Sequence, residues 1–406
     1  MTTSVKYYLS TDLSTPELSG TAGALIGVLD ACLVTGFGTQ AVSGLVVSGG
    51  IATLTVASTP SAAADRVVLV AGATPAGLNG EQRVLATTSN TITFATALAD
   101  QTATGAISVK IAPAGWAKVF SGTNLAVYRS PNLASTRQYL RVDDTTTTSA
   151  VMQAYESMSD VNTGVDQWMD NFWFKSTAAS AAAVGWQLYA DDRTFYLRTE
   201  AGNQDAIYPF GDINPTRAND PFACVGPDGY RLATLSSASN SPAYVTVNAY
   251  PVSSSNSPSL RLPRSANFLS KSVQAFKRPE ILADYYTSTG DFSMSSGCTG
   301  NTSYYLLPYP NTSDNALVFT KFNVFETSNR NLRGALRGVF SSPQWLTAPF
   351  TNTVSVLDGQ GAFAGRKIGV VKCSGGISVT GQAVFSGCNA PHYPAGRLIV
   401  DLTGPW

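Results

Sequence analysis

The sequence predicts a mainly β, multi-domain protein. Its host is sandwich- or barrel-like, carries one N-terminal α-helix, and accepts a small inserted β domain. Three observations predict this. Short alternating apolar runs, separated by Gly, Pro, Ser and Asn, recur along most of the 406 residues. A single stretch near the start places apolar residues at helical spacing. The block 40–112 differs in texture from both flanks, being rich in Thr, Ala, Val and Gly and nearly free of aromatic residues. A chain this long exceeds one ordinary core. The expected division is a discontinuous host (1–39 plus 113–213), the insert (40–112), a loop-rich connector (214–275) and a C-terminal β region (276–406).

Lys6 to Leu9 reads as a short strand. Ser14-Thr15-Pro16-Glu17 then has the spacing of a capping box, with Ser14 as N-cap and Glu17 at the third helical position. Leu18, Ala22, Leu25, Ile26, Leu29, Cys32 and Leu33 follow on one face of an expected helix of about five turns, with Gly36 as its stop. The insert shows about six short strands, enough for a small sandwich or barrel. They are Leu45–Val47, Ile51–Val56, Val67–Val70, Gln82–Leu85, Thr91–Phe94 and Ala106–Ile111. From Pro113 the host resumes, with Trp116 expected to anchor the returning strand. Strands follow at Val119-Phe120, Leu125–Arg129, Gln138–Val142, Ala150–Met158 and Phe172–Lys175. A hairpin is expected at Trp186–Tyr189 and Thr194–Arg198, around Ala190–Arg193, before Ile207–Asp212. Residues 214–264 read as surface loops, with linker-like runs at Ser236–Ser241 and Ser253–Ser259. Later strand candidates are Tyr304–Leu307, Leu317–Phe319, Phe322–Phe325, Ala335–Phe340, Lys367–Cys373, Gln382–Phe385 and Leu398–Leu402.

Charge is sparse and balanced. Charged residues are 13% of the chain, and 26 Lys plus Arg match 26 Asp plus Glu. A neutral, weakly charged surface favours packing into an assembly. It argues against nucleic acid, which requires a basic patch, and Arg333 with Arg337 is only a local pair. The five cysteines include no C-x-x-C, so free, mostly buried thiols are expected, although Cys373 and Cys388 flank a hairpin and are placed to face each other. Met1 to Lys6 lacks the pattern of a signal peptide, and no apolar run reaches the ~18 residues of a membrane span.

No catalytic, cofactor-binding or metal site is expected. The single histidine, His392, lies in a Pro-rich turn without a nucleophile motif. Asp143-Asp144 and Asp191-Asp192 are adjacent acidic pairs, which turn chemistry explains better than a glycosidase dyad. Neither pair carries the spacing of a calcium loop. Gly36-Phe37-Gly38 follows a helix instead of opening one, the wrong end for a phosphate.

Several stretches share one likeness. They are Leu33-Val34-Thr35-Gly36-Phe37-Gly38, Pro113-Ala114-Gly115-Trp116-Ala117-Lys118 running on through Arg129, Tyr155–Asp160, Asp191–Leu197, Leu336-Arg337-Gly338-Val339-Phe340 and Asp401-Leu402-Thr403-Gly404-Pro405-Trp406. In these the chain resembles virion structural proteins of Mu-like and related long-tailed bacteriophages. The resemblance implies a particle component near the distal end of the tail, a tail tip or baseplate subunit, and carries over no catalytic residue. Expected partners are other virion proteins and further copies of the chain, as a trimer or ring, with no nucleic acid and no membrane span. The expected location is the virion, assembled in the bacterial cytoplasm. The alternative is a host-glycan-binding adhesin or head decoration using the insert or Trp168, Trp173 and Trp186. Joining Thr39 to Pro113 is expected to leave a host that unfolds cooperatively.

Overall fold

A computed structural model describes residues 2–201, 204–217, 221–225, 246–247, 260–261, 273–276, 281–284, 315, 317, 320–326, 332–341, 354–372 and 397–406. His392, Cys298, Cys373, Cys388, the linker-like serine runs and the expected strands at Tyr304–Leu307, Val318-Phe319 and Gln382–Phe385 lie outside the described residues, as do the side chains of Cys224 and Arg333. The mainly β class holds, with one α-helix and one closed barrel among the described residues.

The chain opens with strand β1 (Lys6–Leu9), then helix α1 (Ala24–Leu29), which continues as a π-helical turn over Asp30–Thr35. The helix is shorter than its apolar spacing predicts, and the capping box at Ser14 does not form. Ser14 has a positive φ of 64°, and Leu18 is held extended by a bridge to Val184, whose amide donates to its carbonyl at 2.8 Å. Tertiary pairing of Leu18 therefore overrides the local helix signal. The apolar face survives in the part that is helical: Leu25, Val28, Leu29, Cys32 and Leu33 are all fully buried. Each such leucine or valine contributes about 1.5–3 kcal/mol by leaving water. Gly36 ends the helix with φ +71°, as its position predicts.

Residues 37–111 form strands β2 (Phe37–Ser48), β3 (Ile51–Val56), β4 (Val67–Ala71), β5 (Gly80–Thr87), β6 (Thr91–Ala95), β7 (Gln101–Thr102) and β8 (Ser108–Ile111), so the first of them begins three residues before the expected boundary at residue 40. Their order β3-β6-β5-β4-β8-β2 closes on itself through a β2–β3 pairing, with β7 added to β2. All six strands expected of this block are present. Alternation explains the barrel: Leu45, Val47, Ala52, Leu54, Ile92 and Phe94 point inward and are buried, while their neighbours face out.

An antiparallel meander follows: β9 (Ala117–Gly122), β10 (Leu125–Arg129), β11 (Tyr139–Asp143), β12 (Ser149–Met158) and β13 (Gly164–Phe174). The strand expected at Ala150–Met158 is present as β12. Then come β14 (Trp186–Ala190), β15 (Thr194–Ala201) and β16 (Gln204–Asn214), which extend β1 into a sheet β1-β14-β15-β16. That sheet runs on through the strands Leu332–Ser341, Arg397–Asp401, Lys367–Lys372 and Val354–Asp358, because Ile213 of β16 pairs with Leu336. Hydrogen bonding thus crosses the boundary drawn at residue 276. One buried cluster joins the helix, the barrel interior, the meander and the inner side of β14–β16.

Side chains at the base of the barrel lock it to the N-terminal segment. The Arg66 guanidinium forks onto Asp12 at 2.9 and 2.7 Å and lies 3.8 Å above the Tyr7 ring. Arg83 donates to the Thr2 and Val5 carbonyls at 3.0 and 3.1 Å. These bonds are what removal of residues 40–112 would sever.

Candidate functional site

The two halves of the interrupted Gly-rich stretch meet in space. A helix C-terminus leaves its last carbonyls without intrahelical partners. Here Ala114 donates to the Cys32 carbonyl at 2.8 Å, and Gly115 and Trp116 donate to the Leu33 carbonyl at 3.0 and 2.9 Å. The returning Pro113–Trp116 segment therefore completes the helix end that Gly36 terminates. A Cβ on Gly36 would fall 2.3 Å from the Ile111 carbonyl oxygen, so only glycine lets entry and exit chains lie this close.

Trp116 continues inward and starts a buried chain of contacts. Its indole N–H donates to the Asp191 carbonyl at 2.9 Å, and its ring meets Phe195 edge-on at 5.3 Å. Asp191 is the first residue of the β14–β15 turn, where its Oδ1 accepts the amides of Arg193 and Thr194 at 2.8 and 2.7 Å. Its second oxygen pairs with Arg337 at 2.5 Å, and both side chains are all but excluded from water. The Arg337 carbonyl accepts the Tyr196 hydroxyl at 2.8 Å. Tyr196 meets Trp406 edge-on at 5.7 Å, and Trp406 lies on Gly338, where a Cβ would come within 2.1 Å of the indole. The Trp406 N–H closes the chain on the Asp401 carbonyl at 2.7 Å.

Four distant stretches thus converge on one interior hub: residues 113–118, 191–197, 336–340 and 401–406. Turn chemistry at Asp191-Asp192 is as expected, but the ion pair is not. Arg337 is no surface partner of Arg333; it is a buried counter-ion. An Arg flanked by Ala335, Leu336, Val339 and Phe340 is the sequence signal that points to it.

The other acidic pair divides. Asp143 caps its own turn, accepting Thr145 Oγ1 at 2.7 Å. Asp144 is fully buried and corrects the expectation of a simple polar turn. Its Oδ2 accepts the amides of Leu25 and Ile26 at 2.7 and 3.2 Å, so it supplies, from 119 positions away, the capping acceptor that the N-cap residue Gly23 lacks. Its Oδ1 is paired with the equally buried Lys175, which also donates to the Thr21 carbonyl at 2.6 Å.

Asp212 is a third buried carboxyl. It accepts Thr136 Oγ1 at 2.5 Å and the Thr136 amide at 3.2 Å. Burial pushes its pKa up from the ordinary carboxylate value, against the pull of the Thr136 and Ser135 hydroxyls and the Arg337 charge. The native state therefore holds a proton that the unfolded chain releases above about pH 4. That contribution is full below about pH 4 and is lost as pH rises through the raised native value. In urea titrations, the stability difference between wild type and Asp212→Asn should shrink on going from about pH 4 to neutrality. A difference that widens with pH would mean the native fold stabilises the anion.

The aromatic residues named for sugar stacking are placed inside. Trp173 is fully buried and stacked on Tyr208 at 5.1 Å, and Trp186 is buried with its N–H on the Pro16 carbonyl at 3.1 Å. Trp168 is half-buried against Phe210. The block 40–112 offers no exposed ring, since its one aromatic residue, Phe94, is buried. Phe172 is exposed at 54%, and two half-exposed tyrosines lie in the same meander. Tyr139 and Tyr155 are directly opposed on the outer face of the meander, with the Arg129 guanidinium 4.5 Å above Tyr139. Tyr155 lies flat over Gly164, whose missing Cβ would stand 2.4 Å from the ring. Strand alternation at β11 and β12 carried that signal in the sequence.

Among the described residues no group of three or more His, Cys, Asp and Glu is placed to hold a metal ion, and no helix is long and apolar enough to cross a membrane. Cys32 is a free buried thiol, whose ionisation is pushed well up by burial. Neither a family model, nor a curated protein, nor a solved structure matches the chain.

Proposed function

We propose that this chain is a structural subunit of a tailed-bacteriophage particle, at the tail tip or baseplate, working through contacts with its own copies and with neighbouring virion proteins. The observation that carries the reading is the hub. Four of the six stretches that resemble virion proteins meet inside the fold, at Trp116, Asp191, Arg337, Gly338 and Trp406; a fifth, Leu33–Gly38, takes the Gly115 and Trp116 amides on its Leu33 carbonyl, while Tyr155–Asp160 belongs to the end of β12 and the turn after it. Their chemistry is that of joints: indole N–H groups on carbonyls, an enclosed ion pair, a ring seated on a glycine. Side chains placed for substrate need access to it; these are enclosed. Proteomic analysis of purified particles, with antibody labelling to place the chain, tests the reading. Detection at the tail end is expected, and absence from the particle would sink it.

A second reading, a host-glycan-binding surface protein, is favoured by the Tyr139–Tyr155 platform. Two phenol rings lie on an open sheet face beside Arg141, Gln153 and Asn162, which bond one another at 3.0 and 3.2 Å. Stacking rings beside amide and guanidinium groups suit a sugar. Glycan-array binding that Tyr155→Ala abolishes would support it.

A further inference from the structure

An amine and a carboxyl group meet in the interior where water does not reach. Lys175 Nζ is in direct contact with Asp144 Oδ1, and both side chains are fully excluded from solvent. Their main chains are anchored. The Asp144 amide donates to the Asn124 carbonyl at 2.8 Å, and the Asp144 carbonyl accepts the Gly23 amide at 2.9 Å. The Lys175 amide donates to the Thr148 carbonyl at 3.0 Å. The two groups are therefore held as the partners of an intramolecular reaction are held.

The surrounding hydrogen bonds suit an amide better than an ion pair. An ammonium brings three N–H donors. Among the described residues Nζ meets two acceptors, Asp144 Oδ1 and the Thr21 carbonyl, the latter at 2.6 Å. A secondary amide in the same place needs one acceptor for its N–H, which Thr21 supplies. It needs donors for its oxygen, which the Leu25 and Ile26 amides supply to Oδ2 at 2.7 and 3.2 Å. It also removes two enclosed charges, each costly to keep out of water. Burial raises the Asp144 pKa against the pull of Lys175 and of those two amides. Enclosure thus favours the neutral acid, the form that an amine attacks.

We propose that Asp144 and Lys175 condense into an isopeptide bond in the folded chain. The Lys175 ammonium first passes a proton to Asp144 Oδ1. The lone pair of the freed amine then attacks Cγ and forms the N–C bond. Negative charge gathers on Oδ2, where the Leu25 and Ile26 amides stabilise it. A second proton passes from Nζ to Oδ1, the Cγ–Oδ1 bond breaks, and Oδ1 leaves as water. One ammonium and one carboxylate become one amide and one water, with no oxidant or co-reactant. Hydrolysis has to bring water back to a site that excludes it. The bond joins the residue after β11 to the residue after β13, 31 positions apart, so tension applied to the chain ends bypasses β12 and β13. Until the bond forms, the two groups are the ion pair described above, the state with which single substitutions are compared. The bond forms or fails to form in the purified chain, whatever particle the chain belongs to.

Intact-mass spectrometry of the full-length chain under denaturing conditions reads the bond directly. Wild type that has folded is expected to be lighter than its sequence by one water. Proteolysis is expected to release a branched peptide that joins the segments around Asp144 and Lys175. Asp144→Asn with Lys175→Met has no amine to react and is expected at its full mass. Should that variant not fold, the branched peptide of the wild type still assigns the bond. A wild type at full mass, both fresh and after prolonged incubation in the folded state, overturns the inference. So does a water loss that the double variant retains or that maps to another pair of residues.

Discussion

Replacing Arg337 by alanine is expected to destabilise the chain by about 3–5 kcal/mol, the range for breaking a buried ion pair by removing one partner. Asp191 would remain enclosed, with one carboxylate oxygen on the turn amides and the other facing a void. The loss should exceed that of a surface pair such as Lys118–Asp30, where both side chains are partly exposed and the usual value is about 0–1 kcal/mol. Arg337→Met with Asp191→Asn separates the two components of the effect. The amide oxygen of Asn keeps the turn bonds, and neither a charge nor a cavity remains, so most of the lost stability should return. Chemical denaturation of the three proteins measures this. If the double variant is as unstable as Arg337→Ala, the pair contributes through shape, and the enclosed-charge account is wrong.

Asp144→Ala is expected to cost a similar amount, about 3–5 kcal/mol, since it leaves the fully enclosed Lys175 ammonium with the Thr21 carbonyl and no counter-charge. It also frees the amides of Leu25 and Ile26 at the helix start, for about 1 kcal/mol more. Two double variants distinguish these effects. Asp144→Asn with Lys175→Met retains a cap acceptor and should recover most of the stability. Asp144→Ala with Lys175→Met lacks the cap and should remain about 1 kcal/mol below it. Loss of helical circular dichroism should track the cap and not the charge. Equal stability of the two double variants would show that the helix start does not depend on this residue.

Much of the architecture was legible in local pattern. The barrel strands announce themselves because period-2 alternation and turn residues are local properties, and a closed barrel buries one face of every strand. Gly36 as a helix stop was legible because a left-handed residue after a helix favours glycine. The helix start was misplaced for a complementary reason. Ser14 and Glu17 carry a capping signal whose energy is of order 1 kcal/mol, and strand-like bonding of Leu18 to Val184 outcompetes it.

What the sequence by itself determined, then, is the mainly β class, the helix-ending glycine and the six strands of residues 40–112. Each follows from interactions between near neighbours or from a texture repeated along the chain. What only the tertiary structure decided is which charges are inside. Asp144 beside Asp143, Asp191 beside Asp192 and Arg337 four residues after Arg333 look alike as nearby charges in a string. Burial and a partner more than a hundred positions away separate Asp144 and Arg337 from the ordinary turn or surface residues that they resemble in sequence. An enclosed charge is tolerated only where an opposite charge and aligned donors meet it, and folding alone brings those groups together.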